Sequence, residues 1–469
     1  MIYIITKKLL SQQKQGIEIS IYRKEYSNEF TDYALVKIPL FKNILPLFSR
    51  FSQKSFYEIF DLAENYMYKH VDEDFSFALI NPEAIENPPF QKVTSEGEVL
   101  LDNSSRTTYH LNSLSNNEEI AYRNKRFICQ KDKNIENYLN DLVQKGAILI
   151  HESENKRLIF IVIDPSLGLL SEHASLETII FNSHFFLMEI SELGSYHSRI
   201  GQPYGGLLID GKIITAPLYG RPALFIEKNG KSHIENLSIE DIEVIIDDIK
   251  YSHGQNAKYY KRPEYSISPK NKGTDLAIIN NKIMGYKYGG ETYIPEAGYI
   301  LHVNEKIIPS GREIKYHYDD NLHFFIQVGP ALIEDGEMIN EINGEFYWDQ
   351  VKSNKNCPYF PPVVFETEWE EASAARMALG IKGKKMLILW ASGCNSEKYI
   401  PGYDSKGFTF SEMTEFFFEE HVQNAISLDG GGSAQLFAMG GKVLKRSDRR
   451  DLYVMEYERP TPLGLKISI

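Results

Sequence analysis

Cysteine is scarce in this chain. Cys129, Cys357 and Cys394 are the three in 469 residues, odd in number and far apart. Such spacing supports neither a disulfide framework nor a C-x-x-C metal site, and it fits a reducing compartment. Long apolar runs are also missing: nothing approaches the roughly 20 residues of a membrane span. The richest stretch, residues 38 to 51, is interrupted by Lys42 and Arg50 and reads as a buried segment or an amphipathic helix. Met1 to Lys8 lack the charged-then-apolar order of a secretory signal. The expectation is a cytoplasmic protein, or one exported without that signal. Positive charge is in deficit, with 51 Lys and Arg against 64 Asp and Glu, a net charge of −13. That balance argues against a nucleic-acid partner. No internal repeat is visible.

What the chain has in quantity is aromatic residues, 29 Tyr and 26 Phe, within a hydrophobic fraction of 42%. Aromatics fit pleated surfaces, so the core is expected to be β-rich. The pattern of elements predicts an α+β protein: a large, mostly antiparallel sheet system with flanking helices, preceded by an N-terminal α+β module. The expected division is residues 1–170 for that module and 171–469 for the main domain. Alternation marks a strand over Ile17 to Tyr22, and helical spacing marks Ser55 to His70. Residues 81 to 125, polar and proline-punctuated, read as loops. A short helix is expected over Ile135 to Gln144, with strands over 147–150 and 158–163. Asp210-Gly211 and Asn229-Gly230 each sit between apolar runs and predict hairpins. Another hairpin is expected over 374–390, and one across Gly440-Gly441. Thr409 and Glu412 have capping-box spacing and predict a helix that buries Met413, Phe416 and Phe417.

That helix feeds the stretch on which the chain's chemistry centres, Asn424 to Leu436. A short apolar strand presents one carboxylate, Asp429; Gly430, Gly431 and Gly432 follow, and then the hydroxyl of Ser433. Glycines without a Cβ let backbone amides approach a ligand, and successive amides in a turn can cradle an anion. A carboxylate beside such a cradle suits chemistry on a phosphorylated or glycosidic centre. The competing reading is a tight turn whose Asp caps its own loop. Asp429 with nearby backbone carbonyls also allows a divalent cation, Ca or Mg, although no cofactor is required by the sequence. The acidic run Glu366 to Glu371 reads as a solvated face.

N-A-x-x-L-D-G-G-G-S resembles the signature of the phosphodiester glycosidase family. Five further stretches are similar to that family's segments, in its order over residues 175 to 469: Phe181 to Phe186, Pro203 to Gly211, Ile294 to Leu301, Val328 to Leu332, and Ala375 to Gly380. The resemblance implies a hydrolase acting on a sugar–phosphate diester. Asp429 would be base or nucleophile. Arg376 and the Gly430–Ser433 turn would hold the phosphate or sugar, and Asn182 and His184 would orient sugar or water. Glu291 is a second carboxylate that could contact substrate. The chain departs from the family at Ser183, where glycine is usual, and at His184. It also has Ala391-Ser392-Gly393-Cys394-Asn395 in place of a D-G-R segment. Loss of that arginine keeps a second reading open, a catalytically silent carbohydrate- or phosphate-binding protein on the same scaffold. The sequence leaves the oligomeric state open.

Overall fold

The computed structural model describes residues 5–40, 44–48, 169–186, 203, 205–339 and 372–469, apart from 262–263, 266, 280, 296–297, 312, 395–398, 446–448, 451–454, 457, 460 and 462. Between 75 and 161 it describes strands alone. The helices expected over 55–70 and 135–144 lie outside the described residues. The stretch 81 to 125, expected as loops, carries the strands Phe90–Val93, Val99–Leu101 and Glu119–Tyr122, which join Lys125–Ile128 in a four-stranded sheet. Strand pairing is a backbone affair, so a polar stretch can supply it. Among the described residues there is one α-helix, Phe410–Glu419. Of the flanking helices expected from the sequence, the described residues thus show one, and their architecture is mostly sheet. No described helix is long and apolar enough to cross a membrane.

An eight-stranded antiparallel sheet organises the part that matters here. Its order runs Ile5–Lys14, Ile17–Tyr26, Glu29–Pro39, Lys385–Ala391, Arg376–Lys382, Asn424–Ser427, Ala331–Glu334 and Glu337–Met338. The first three strands, expected in the N-terminal module, thus lie in one sheet with the strand leading to Asp429. Glu29–Pro39 pairs with Lys385–Ala391 from Tyr33↔Ala391 to Pro39↔Lys385. Ile44–Phe48 likewise pairs with Leu463–Ser468 in a second, five-stranded sheet that also holds Thr178–Asn182 and Leu436–Ala438. A third sheet contains the expected hairpins Leu207–Ile209/Lys212–Thr215 and Arg221–Glu227/Ser232–Leu237, on either side of Leu322–Gln327.

These three sheets share one core. Ala34, Val36, Ile38, Met377, Leu379 and Trp390 meet Phe181, Leu465, Leu224 and Ile326 in it. The opposite face of the eight-stranded sheet, with Leu35, Ala378 and Leu389, packs against Phe410, Met413 and Phe417 of the helix. Gly380 permits the close approach: a Cβ there would stand 2.8 Å from Val422 Cγ1 and 3.0 Å from the Phe417 ring. The third sheet is buried on both faces, which is why Ala223 to Ile226 and Phe324 to Ile326 are continuous apolar runs. Its far face packs against a sheet of Ala257–Lys261, Gly298–Val303, Thr274–Ile279 and Lys282–Tyr288.

The capping box is present in full. Thr409 Oγ1 accepts from Glu412 N at 3.1 Å, and Glu412 Oε2 accepts from Thr409 N at 3.0 Å. The last hairpin turns one residue earlier than its glycines suggest. Ala438 pairs with Gly441, so Met439 and Gly440 form the turn, both with positive φ. Such a turn needs left-handed backbone at both central positions, and Met439 adopts it at 52°.

Candidate active site

The strand Asn424–Ser427 is pinned on both sides, to Arg376–Lys382 and to Ala331–Glu334. Gly329 N donates to Ser427 O, and Ser427 N to Pro330 O. Leu428 N then donates to Met377 O at 2.8 Å, and Asp429 N to Ser183 O at 3.0 Å. Asp429 therefore stands where the Thr178–Asn182 strand ends beside the sheet that carries Arg376. It keeps part of its surface open while its carboxyl lies deep among protein atoms. Burial pushes that carboxyl up to about 7, against the opposing effect of hydrogen bonds from the Ser433 hydroxyl and the Gly430 amide.

The glycine turn is spent on holding Asp429 more than on offering free amides. Gly431 N donates to Ala375 O at 2.8 Å, and Ser433 N to Gly430 O at 3.1 Å. Gly431 has a φ of 56°, a left-handed conformation that favours glycine. A Cβ at Gly430 would lie 3.0 Å from Ala375 O and 3.8 Å from Arg376 Cδ. Close contact with the Arg376 strand thus accounts for glycine at 430, and backbone conformation for glycine at 431. The anion cradle expected from the glycine turn is, at the Gly431 and Ser433 amides, already filled by the protein.

Asn182 is buried and positions the acid through the backbone. Its Nδ2 donates to Asp429 O at 2.7 Å, and its Oδ1 accepts from Gln435 N at 3.0 Å. His184 is buried as well, with Nδ1 3.1 Å from Phe185 O and Nε2 3.3 Å from Gly206 O. Burial lowers its pKa to about 4, assisted by the charge of Arg221, so the ring is neutral near pH 7. Its contacts tie the end of the Thr178–Asn182 strand to the Gly205-Gly206 turn. Arg376 is half-buried. Its guanidinium stacks 4.1 Å from the centre of the Phe410 ring, with Nε 3.3 Å from Phe408 O and Nη2 3.0 Å from Ala372 O.

Asp429, Gly430 to Ser433 and Asn182 are thus brought together, with His184 two residues along the same strand end; Arg376 borders the turn through its Cδ, while its guanidinium lies on Phe410. Glu291 is not. It is exposed in a turn of the other sheet system, at a φ of 55°, and its described hydrogen bonds run from its amide to Ser268 O and from Lys287 Nζ to its carbonyl. Among the described residues no group of three or more His, Cys, Asp or Glu side chains is gathered as for a metal.

Sequence reading missed Gln327 and Arg221. Gln327 Oε1 accepts from Gly206 N at 2.9 Å, and its Nε2 donates to the carbonyls of Tyr219 and Leu237. It locks the turn that His184 leans on. Arg221 is buried on the neighbouring strand, near enough for its charge to act on His184. Both carried a signal: each is a polar residue buried beside an apolar run, Ala223 to Ile226 and Phe324 to Ile326.

Residues 267–467 match the family model of the phosphodiester glycosidases. The match takes in Arg376 and the Asp429 turn and begins after Asn182 and His184. Among solved structures, a hypothetical protein from Synechocystis aligns with 100% of this chain and 68% of its own, at 11% identity and a TM-score of 0.43. The catalytic domain of zebrafish N-acetylglucosamine-1-phosphodiester alpha-N-acetylglucosaminidase, auto-inhibited by its pro-peptide, aligns with 86% of this chain and 90% of its own, at 12% identity and a TM-score of 0.34. Among curated proteins none matches the chain.

Proposed function

We propose that the part of the chain resembling the phosphodiester glycosidases hydrolyses a glycosyl-1-phosphodiester, with Asp429 as the general base. The observation that carries this reading is a carboxylate whose pKa burial has pushed to about 7, at the end of a strand pinned on both sides. A base poised near the working pH takes a proton most effectively. Asp429 removes a proton from water as the oxygen bonds to the anomeric carbon. The bond from that carbon to the phosphate oxygen breaks, and the phosphomonoester departs with the electron pair. A phosphate leaves readily, so a strong general acid matters less than for an ordinary glycoside. Arg376, always charged, attracts the departing phosphate from its seat beside Gly430. Asn182 and His184 act behind the reacting centre: one fixes the Asp429 backbone, the other the Gly206 turn.

The test is Asp429→Asn on a panel of chromogenic sugar-1-phosphodiesters. At least one member should be turned over by the wild type, with a fall of about 10²-fold or more in the variant. Equal background rates on every member would remove the enzyme reading. One observation favours a binding protein instead: Cys394, buried, stands within the segment that replaces D-G-R. In that case both proteins bind the panel and neither turns it over.

A further inference from the structure

We infer that Thr31, about 240 residues before the family match begins, is a positioning residue for the Arg376 side of the site. The inference rests on the proposed function only for what Arg376 holds. Strand Lys385–Ala391 stops pairing with Glu29–Pro39 at Tyr33. Beyond that point residues 405–408 take its place as a strap. Phe30 O accepts from Lys406 N at 2.8 Å, and Asp32 N donates to Ser405 Oγ at 3.0 Å. Thr31, fully buried between them, donates its hydroxyl to Gly407 O at 2.8 Å.

The strap is pressed onto the start of the Arg376 strand. Gly407 has a φ of 90°, and a Cβ there would fall 2.1 Å from Ala374 O. Phe408 N donates to Ala374 O at 3.0 Å, and Ala374 N to Phe408 O at 3.1 Å. That same Phe408 carbonyl accepts from Arg376 Nε, and the next carbonyl along the strand, Ala375 O, accepts from Gly431 N. Five hydrogen bonds therefore run from the Thr31 hydroxyl through Gly407, Phe408 and Ala374–Arg376 to the glycine turn. Removing the hydroxyl leaves the Gly407 carbonyl buried without its donor, a loss the strap can relieve only by moving.

Amide hydrogen exchange on the full chain reads this coupling without any ligand. Thr31→Val, of nearly equal volume, is expected to speed exchange of the Phe408 and Gly431 amides about tenfold. Exchange at Asp429, whose amide bonds to Ser183 on the other side, stays at the wild-type rate, and Thr31→Ser restores the Phe408 and Gly431 amides. Faster exchange at Phe408 with Gly431 unchanged would overturn the inference. So would a uniform rise that includes Leu301 in the far sheet, or failure of Thr31→Ser to restore. In turnover of a sugar-1-phosphodiester, Thr31→Val should raise KM about tenfold with kcat within about twofold, and combining it with Arg376→Ala should add nothing further. If the protein hydrolyses no such ester, the proposed function fails while the exchange rates still decide the role of Thr31.

Discussion

Asp429 is stabilised in its protonated form by the folded protein, which links its chemistry to stability. Its pKa stands at about 7 when folded, above the ordinary 3.8. Between those values the native state holds a proton that the unfolded chain has released, so stability falls as pH rises from about 4 to about 7. Asp429→Asn removes that dependence. The variant should be more stable than the wild type at pH 8, by on the order of 1–2 kcal/mol given the residue's remaining solvent access, and equal to it near pH 4. Thermal unfolding at the two pH values checks this; a variant less stable at pH 8 would show that the carboxylate is not strained. His184 contributes in the opposite sense. With a folded pKa of about 4, below its ordinary 6.5, it favours folding fully above pH 6.5 and loses that contribution as pH falls towards 4. His184→Gln should therefore flatten the loss of stability between pH 6.5 and 4. The identity of the acid was legible from one strand and three glycines. Its proton affinity was not, because burial depends on Ser183, Asn182 and Met377, which approach from other parts of the chain.

The helix Phe410–Glu419 was the most legible element, since a capping box and an apolar stripe are both local patterns. It packs on the Arg376–Lys382 strand, where Phe417, together with Val422 just beyond the helix, crowds Gly380. Thr409→Ala should cost about 1 kcal/mol by leaving the Glu412 amide without its acceptor. Gly380→Ala should cost more, roughly 1–3 kcal/mol, because the added methyl meets Val422 and Phe417. Denaturant midpoints at constant slope would rank the two; a smaller cost for Gly380→Ala would mean that the helix slides without resistance. Hairpins at Asp210-Gly211 and Asn229-Gly230 were equally readable, as their turn residues set the chain reversal. The glycine turn was readable in place but not in use: three glycines suggest open amides, and only the neighbouring Ala375 carbonyl shows that one is taken.

For the whole molecule, the first strands pair with strands far along the chain. Glu29–Pro39 covers the edge of the strand bearing Trp390, and Ile44–Phe48 covers Leu463–Ser468. Lys24 Nζ and Tyr26 Oη both reach Glu412 Oε1, at 2.9 and 2.8 Å, and so fasten the same stretch to the helix. A chain truncated to residues 171–469 would expose two strand edges and apolar residues of the shared core. It is expected to be aggregated or expanded, whereas adding residues 5–48 back as a separate peptide should recover a compact species by size-exclusion chromatography. A truncated chain that is monomeric and unfolds cooperatively would show that these strands are accessory.

By itself the sequence determined the hairpins at Asp210-Gly211 and Asn229-Gly230, the capped helix and the acid that follows it, since each is written in spacings of a few residues. Tertiary structure alone decided that burial raises the Asp429 pKa to about 7, that Glu291 stands apart, and that Thr31 braces Arg376. The physical reason is distance along the chain. The Thr31–Gly407 bond joins residues 376 positions apart, and strand pairing over such separations follows from packing the whole core, not from any local pattern.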